Sequence, residues 1–140
     1  MNIKVADLMS PMAITSEPHR SLGHVRRIME KNKISAIPIV STEGEPLGIL
    51  SATDLLPNLN DNSPVGGLMT QKVYTVPKYD DVSIAARVMR NHRIHRVVVT
   101  HEKKVVGILS AFDLLKLVEQ HRYVEKNAPT ISKRKGAKRN

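Results

Sequence analysis

The chain has 140 residues, a formal net charge of +9, 41% hydrophobic and 25% charged residues, and no cysteine. This balance fits a globular chain and excludes disulfides and thiol chemistry; no apolar run reaches the roughly eighteen residues of a membrane-spanning helix. The start, MNIKVADLMSPM, lacks the apolar stretch of a secretory signal, so a cytoplasmic location with no membrane partner is expected. With Phe112, three tyrosines and no tryptophan, the core must be built from Ile, Val, Leu, Met and Ala.

Taken in order, Val5–Met9 reads as a short apolar lead-in helix and Ala13–Ser16 as a brief strand before Pro18. Ser21 stands as the N-cap of a helix with Leu22, Val25, Ile28 and Met29 on one face and Arg26, Arg27, Glu30 and Lys31 on the other. Ile37–Val40 and Leu47–Leu50 are runs of β-formers around the turn Glu43-Gly44-Glu45. A helix starts over Thr53–Leu56, is disturbed by Pro57, and gives way to the linker Asn58–Pro64.

The same series then returns. Val65–Met69 is the lead-in, Val73–Val76 the strand before Pro77, and Asp81 the cap of a helix carrying Val82, Ala85, Val88 and Met89. Val97–Thr100 and Val105–Leu109 are its strands, and Phe112–Val118 its last helix, with room to run on toward Arg122. A shift of sixty residues aligns Val5/Val65, Leu8/Leu68, Met9/Met69, Thr15/Thr75, Arg27/Arg87, Met29/Met89 and Ile34/Ile94. From Gly48/Gly107 the offset is fifty-nine, and GILSATDLL reappears as GILSAFDLL. A repeat this close marks a duplicated unit. The expected fold is α+β: two β-α-β-β-α repeats, residues 1–60 and 61–124, related by a pseudo-twofold axis that hides one face of each small sheet. Residues 125–140 hold six Lys/Arg against one Glu and almost nothing to bury, so a disordered basic tail is expected there.

Each nonamer sets a serine three residues before an aspartate at a strand-to-helix junction: Ser51 with Asp54, Ser110 with Asp113. One reading is a helix cap, in which the serine and the carboxylate satisfy backbone N–H groups. The other is a ligand site. Free N–H groups at a helix start suit phosphate, and a carboxylate one turn in can accept both hydroxyls of a ribose. The two are compatible.

Two such repeats, each closing on G-I-L-S-A-x-D-L-L, resemble a pair of CBS domains, or Bateman module. The resemblance covers residues 3–120 and extends to VADLMSP, VGGLMTQ, NKISAIPIV and NHRIHRVVV. It implies a regulatory binding module, not an enzyme, with no required cofactor. Its ligand would be an adenine nucleotide (AMP, ADP or ATP) or S-adenosylmethionine, held in the cleft between the repeats. By position, Asp54 and Asp113 would hold ribose, and Ser51, Thr53 and Ser110 would meet ribose or phosphate. Ser35, Ala36, Ile37 and Pro38, with His95, Arg96, Val97 and Val98, would line the cleft; Ser10, Ala13, Thr70 and Val73 would flank the base. The resemblance further implies a homodimer, and an effector protein to carry the output.

The copies differ where phosphate charge would be met: Ser35-Ala36 in the first, His95-Arg96 in the second. Arg96 reads either as a phosphate ligand or as a solvated charge at a strand edge. Phe112 replaces Thr53 and removes a hydroxyl from the second site; packing between the units is its other reading. One tighter and one weaker pocket are expected. His92 and His95 lack the neighbours of a metal set, Asp80-Asp81 reads as a cap, and no nucleophile or phosphate-loop motif occurs. A nucleic-acid partner held by the basic tail is the competing reading, against which stands the lack of stacking aromatics; a structural dimerisation module without ligand is another.

Overall fold

The computed structural model describes residues 2–11, 14–55 and 57–127, with side chains described through residue 119. Ala13, Leu56 and residues 128–140 of the expected tail therefore lie outside the described residues. In chain order the elements are α1 (Val5–Leu8), β1 (Ser10–Pro11), α2 (Leu22–Asn32), β2 (Ala36–Val40) and β3 (Pro46–Ser51). Two 3-10 turns follow, Ala52–Asp54 and Val65–Gly67, and then β4 (Thr75–Pro77), α3 (Val82–His92), β5 (Arg96–His101), β6 (Lys104–Ser110) and α4 (Ala111–Asn127).

The helices form where the caps and apolar spacing place them. Ser21 Oγ accepts from His24 N at 3.2 Å, and Asp81 Oδ2 accepts from Ser83 N at 2.9 Å. Leu22, Val25 and Met29 of α2 are buried, as are Val82, Ala85 and Met89 of α3. The last helices of the copies diverge. Pro57 has no N–H to give, and the first copy stops at a single 3-10 turn in place of the helix expected over Thr53–Leu56; α4, free of proline, continues past Arg122 to Asn127. The second lead-in is likewise a 3-10 turn, in place of the helix expected over Val65–Met69.

β2 and β3 form an antiparallel hairpin, as do β5 and β6. β4 adds to β5 in parallel, and β1 adds to β6, giving the order β1-β6-β5-β4. In the first copy the equivalent additions shrink to single bridges, Ser16 with Ile39 and Thr70 with Ile49. Proline explains the first of these. Val98 N donates to Tyr74 O at 3.0 Å, whereas Pro38, at the matching place in β2, has no hydrogen to donate. Among the described residues, the strand expected over Ala13–Ser16 is thus reduced to Ser16, whose N–H donates to Pro38 O and whose carbonyl accepts from Val40 N.

The cores do not follow the repeat boundary. Val5 lies in one cluster with Val76, Val82, Val97, Val99 and Leu109, whereas Val65 lies with Leu22, Val25, Ile37, Ile39 and Leu50. Each lead-in therefore packs into the opposite copy. Backbone bonds fix the exchange: Val5 N to Asp80 O and Val82 N to Ile3 O on one side, Leu22 N to Ser63 O and Val65 N to Arg20 O on the other.

Candidate functional site

The repeated Ser–Asp pair forms the cap. Asp54 Oδ2 accepts from Ser51 N at 3.0 Å and from Ser51 Oγ at 2.9 Å, and Thr53 Oγ1 lies 2.9 Å from the same hydroxyl. In the second copy Asp113 Oδ2 accepts from Ser110 N at 2.9 Å while Asp113 N donates to Ser110 Oγ at 3.1 Å. Both caps also open onto cavities, of about 450 Å³ at Asp54 and about 500 Å³ at Asp113, within the usual range for a small-molecule site.

The cavities are built across the copies. Asp54 and Ser51 face Thr70, Val73, His95, Arg96 and Val98 of the second copy. Asp113 and Ser110 face Ser10, Ser35 and Ala36 of the first, with Phe112 at the rim and Arg96 again on the wall. The remaining expected residues stand elsewhere. Ile37 and Val97 are fully buried in the two cores, on the opposite side of their strands from the cavities. Pro38 is buried within β2, and exposed Thr53 reaches the site only through Ser51.

The structure details one reading and changes another. Arg96 opens β5 beyond the residues that β4 covers, pairs with Ser110 of β6, and its Nη2 donates to Ser35 Oγ at 2.7 Å. Phe112 does not pack between the units, because the first residues of α4 turn it outward and leave it 78% exposed.

Several lining residues carry no motif. Tyr74 stacks on His92 with ring centroids 4.1 Å apart, Lys72 Nζ sits 5.7 Å from the Tyr74 centroid, and all three line the Asp54 cavity. Lys33 and Arg93 end α2 and α3 in the left-handed region, at φ 55° and 54°. Glycine is the common occupant of that position, and a side chain there costs about 1 kcal/mol. Here the costlier residues put a cation on each cavity, Arg93 beside Asp54 and Lys33 beside Asp113. Their matching places in the repeat, both basic and both two residues before the strand motifs, were the available signal.

The CBS domain family model matches residues 5–61 and 65–120. The chain belongs to the CBS domain family. Among curated relatives, inosine-5′-monophosphate dehydrogenase of Halobacterium salinarum is 30% identical over 105 residues, 73% of this chain and 21% of that one. An uncharacterized 33.4 kDa protein of Thermofilum pendens is 28% identical over 89% of this chain and 46% of its own length. The chain thus spans less than half of either relative. Among solved structures, the CBS domain pair of protein MJ0100, in complex with 5′-methylthioadenosine and S-adenosylmethionine, superposes with a TM-score of 0.77. It is 27% identical and covers 86% of this chain and 99% of its own. A CBS domain protein of Pyrobaculum aerophilum shares the fold at a TM-score of 0.73 and 24% identity, with 84% of this chain and 99% of that one covered.

Proposed function

We propose that this CBS pair binds an adenosine-containing ligand in the Asp54 and Asp113 cavities and acts as a regulatory sensor rather than a catalyst. The observation that carries the reading is the build of the cavities: in each, a carboxylate from one copy faces the strand and lead-in of the other. A ribose held by Asp54 or Asp113 would be gripped from both sides, so ligand binding ties the relative placement of the copies to occupancy. The ligand complexes of MJ0100, a structural neighbour above 25% identity, support the same ligand class. The output is then a population shift: a ligand that prefers one arrangement of the copies draws the chain toward it, and an effector protein or a second copy of the chain reads the change.

A thermal-shift panel of AMP, ADP, ATP, S-adenosylmethionine and adenosine tests this. A ligand at a hundredfold excess over its Kd stabilises by about 2.7 kcal/mol, a rise in Tm of roughly 8–14 °C for a domain of this size. The rise should vanish in the Asp54→Ala/Asp113→Ala variant. A panel without any shift refutes the sensor. A shift that survives in the double variant refutes the site.

A further inference from the structure

Arg96 is the only residue that lines both cavities among those described for either, and its guanidinium is held by Ser35 Oγ on the wall of the Asp113 cavity. The two walls differ without it. The Asp54 cavity keeps Lys72 and Arg93 against one carboxylate, whereas the Asp113 cavity keeps only Lys33, a cation that its carboxylate offsets. An anion entering the Asp54 cavity meets the stronger positive field and attracts Arg96 toward it. The cost is a single side-chain hydrogen bond to an exposed serine, small beside a charge-assisted bidentate contact to phosphate.

We infer that the cavities share one arginine and are therefore coupled: a phosphorylated ligand in the Asp54 cavity claims Arg96, and leaves the Asp113 cavity suited to an adenosine-type ligand without phosphate. This rests on the adenosine-sensor reading above and adds to it a specificity for each pocket. The coupling is negative for a second phosphate and absent for an uncharged ligand, because the uncharged ligand makes no demand on the guanidinium. Ser35 is the positioning residue that holds Arg96 on the Asp113 side, from which a phosphate in the Asp54 cavity draws it.

The test compares AMP with adenosine by titration calorimetry, on the full chain, in wild type and in Asp54→Ala. In wild type, the second AMP should bind about tenfold more weakly than the single AMP taken by Asp54→Ala, in which Arg96 is left to the Asp113 cavity. Adenosine should show the same affinity at that cavity in both proteins. A parallel measurement needs no variant: the Arg96 side-chain 15N resonances of wild type should move with the first equivalent of AMP and stay in place with adenosine. Equal AMP affinities in the two proteins, or Arg96 resonances indifferent to AMP, overturn the sharing and leave the sensor standing. A chain that binds neither AMP nor adenosine overturns both.

Discussion

Gly48 opens the repeated nonamer, and its replacement by alanine should break the contact through which the second lead-in crosses to the first copy. A Cβ at Gly48 would lie 2.5 Å from Met69 Sδ and 2.8 Å from both Met69 Cγ and Thr70 O. The sulfur can move; the carbonyl cannot, because it accepts from Ile49 N at 3.0 Å while Thr70 N donates to Ile49 O at 2.9 Å. Parting the strands weakens two backbone bonds, at about 1 kcal/mol each, and displacing Met69 from its place against the Leu22 cluster adds a similar overpacking cost. The expected loss is about 2–4 kcal/mol, or roughly 6–20 °C in Tm. Urea denaturation followed by circular dichroism measures it. Gly67→Ala is the control, since nothing lies within 4 Å of its Cβ position, and it should change stability by less than about 0.5 kcal/mol. In a Met69→Ala background the sulfur clash is gone but the carbonyl remains, so Gly48→Ala should still cost about 1–2 kcal/mol. A Gly48→Ala protein as stable as Gly67→Ala would refute the reasoning.

Two further outcomes follow from the helix ends. Hydrogen bonds from the Ser83 hydroxyl and backbone hold the exposed Asp81 carboxyl below its ordinary value of 3.8. A lowered folded value means that Asp81 stabilises above that ordinary value and loses its contribution as pH falls through the folded one. The stability gap between wild type and Asp81→Ala should therefore close on acidification, and a gap constant between about pH 7 and about pH 2 would contradict the cap. Arg93→Gly relieves the left-handed backbone, so chemical denaturation should show stability unchanged or raised by up to about 1 kcal/mol. The thermal shift with AMP should shrink in the same protein, while that with adenosine should not; equal shrinkage would remove Arg93 from phosphate recognition.

The repeat was legible because near-identity survives in GILSATDLL and GILSAFDLL, and the caps were legible because Ser21 and Asp81 carry a local chemistry that needs no distant partner. Pro57 announced an early disturbance after β3 for the same reason, although the helix expected over Thr53–Leu56 proves to be a single 3-10 turn. What stayed hidden was set by contacts far apart in sequence. Nothing local in Val5 or Val65 says that each packs into the opposite copy. Gly48 and Gly107 sit inside the strands expected over Leu47–Leu50 and Val105–Leu109, and each is small because a lead-in crosses it: a Cβ on Gly107 would meet Met9 Sδ and Ser10 O, both at 2.7 Å. Among the residues lining the two cavities, the polar ones legible in the sequence were Ser10, Ser35, Ser51, Asp54, Thr70, His95, Arg96, Ser110 and Asp113. Ile37 and Val97 were not separable from their neighbours, because strand alternation needs a register to say which residues face the cavity. Tyr74 and Lys72 were missed because their counterparts, Ile14 and Met12, share no chemistry with them.

The crossed architecture also lets differences between the copies fall in both cavities. The His95-Arg96 pair seemed to belong with Phe112, since both lie in the second copy. In space His95 joins Asp54, the nonamer that kept its threonine, and Phe112 joins Ser35-Ala36. One change in a strand and one in a nonamer of the same copy thus fall in opposite cavities. Arg93 falls with His95, and Lys72 and Tyr74 follow the same rule from the second lead-in. The second copy supplies most of the charge and aromatic surface to the first copy's carboxylate, and receives in return Pro11, Ile14 and Ile34 around Asp113. Divergence of a single repeat therefore differentiates both sites at once. Arg96 is the exception, because among the described lining residues it alone stands on both walls, which is why the proposed coupling runs through it.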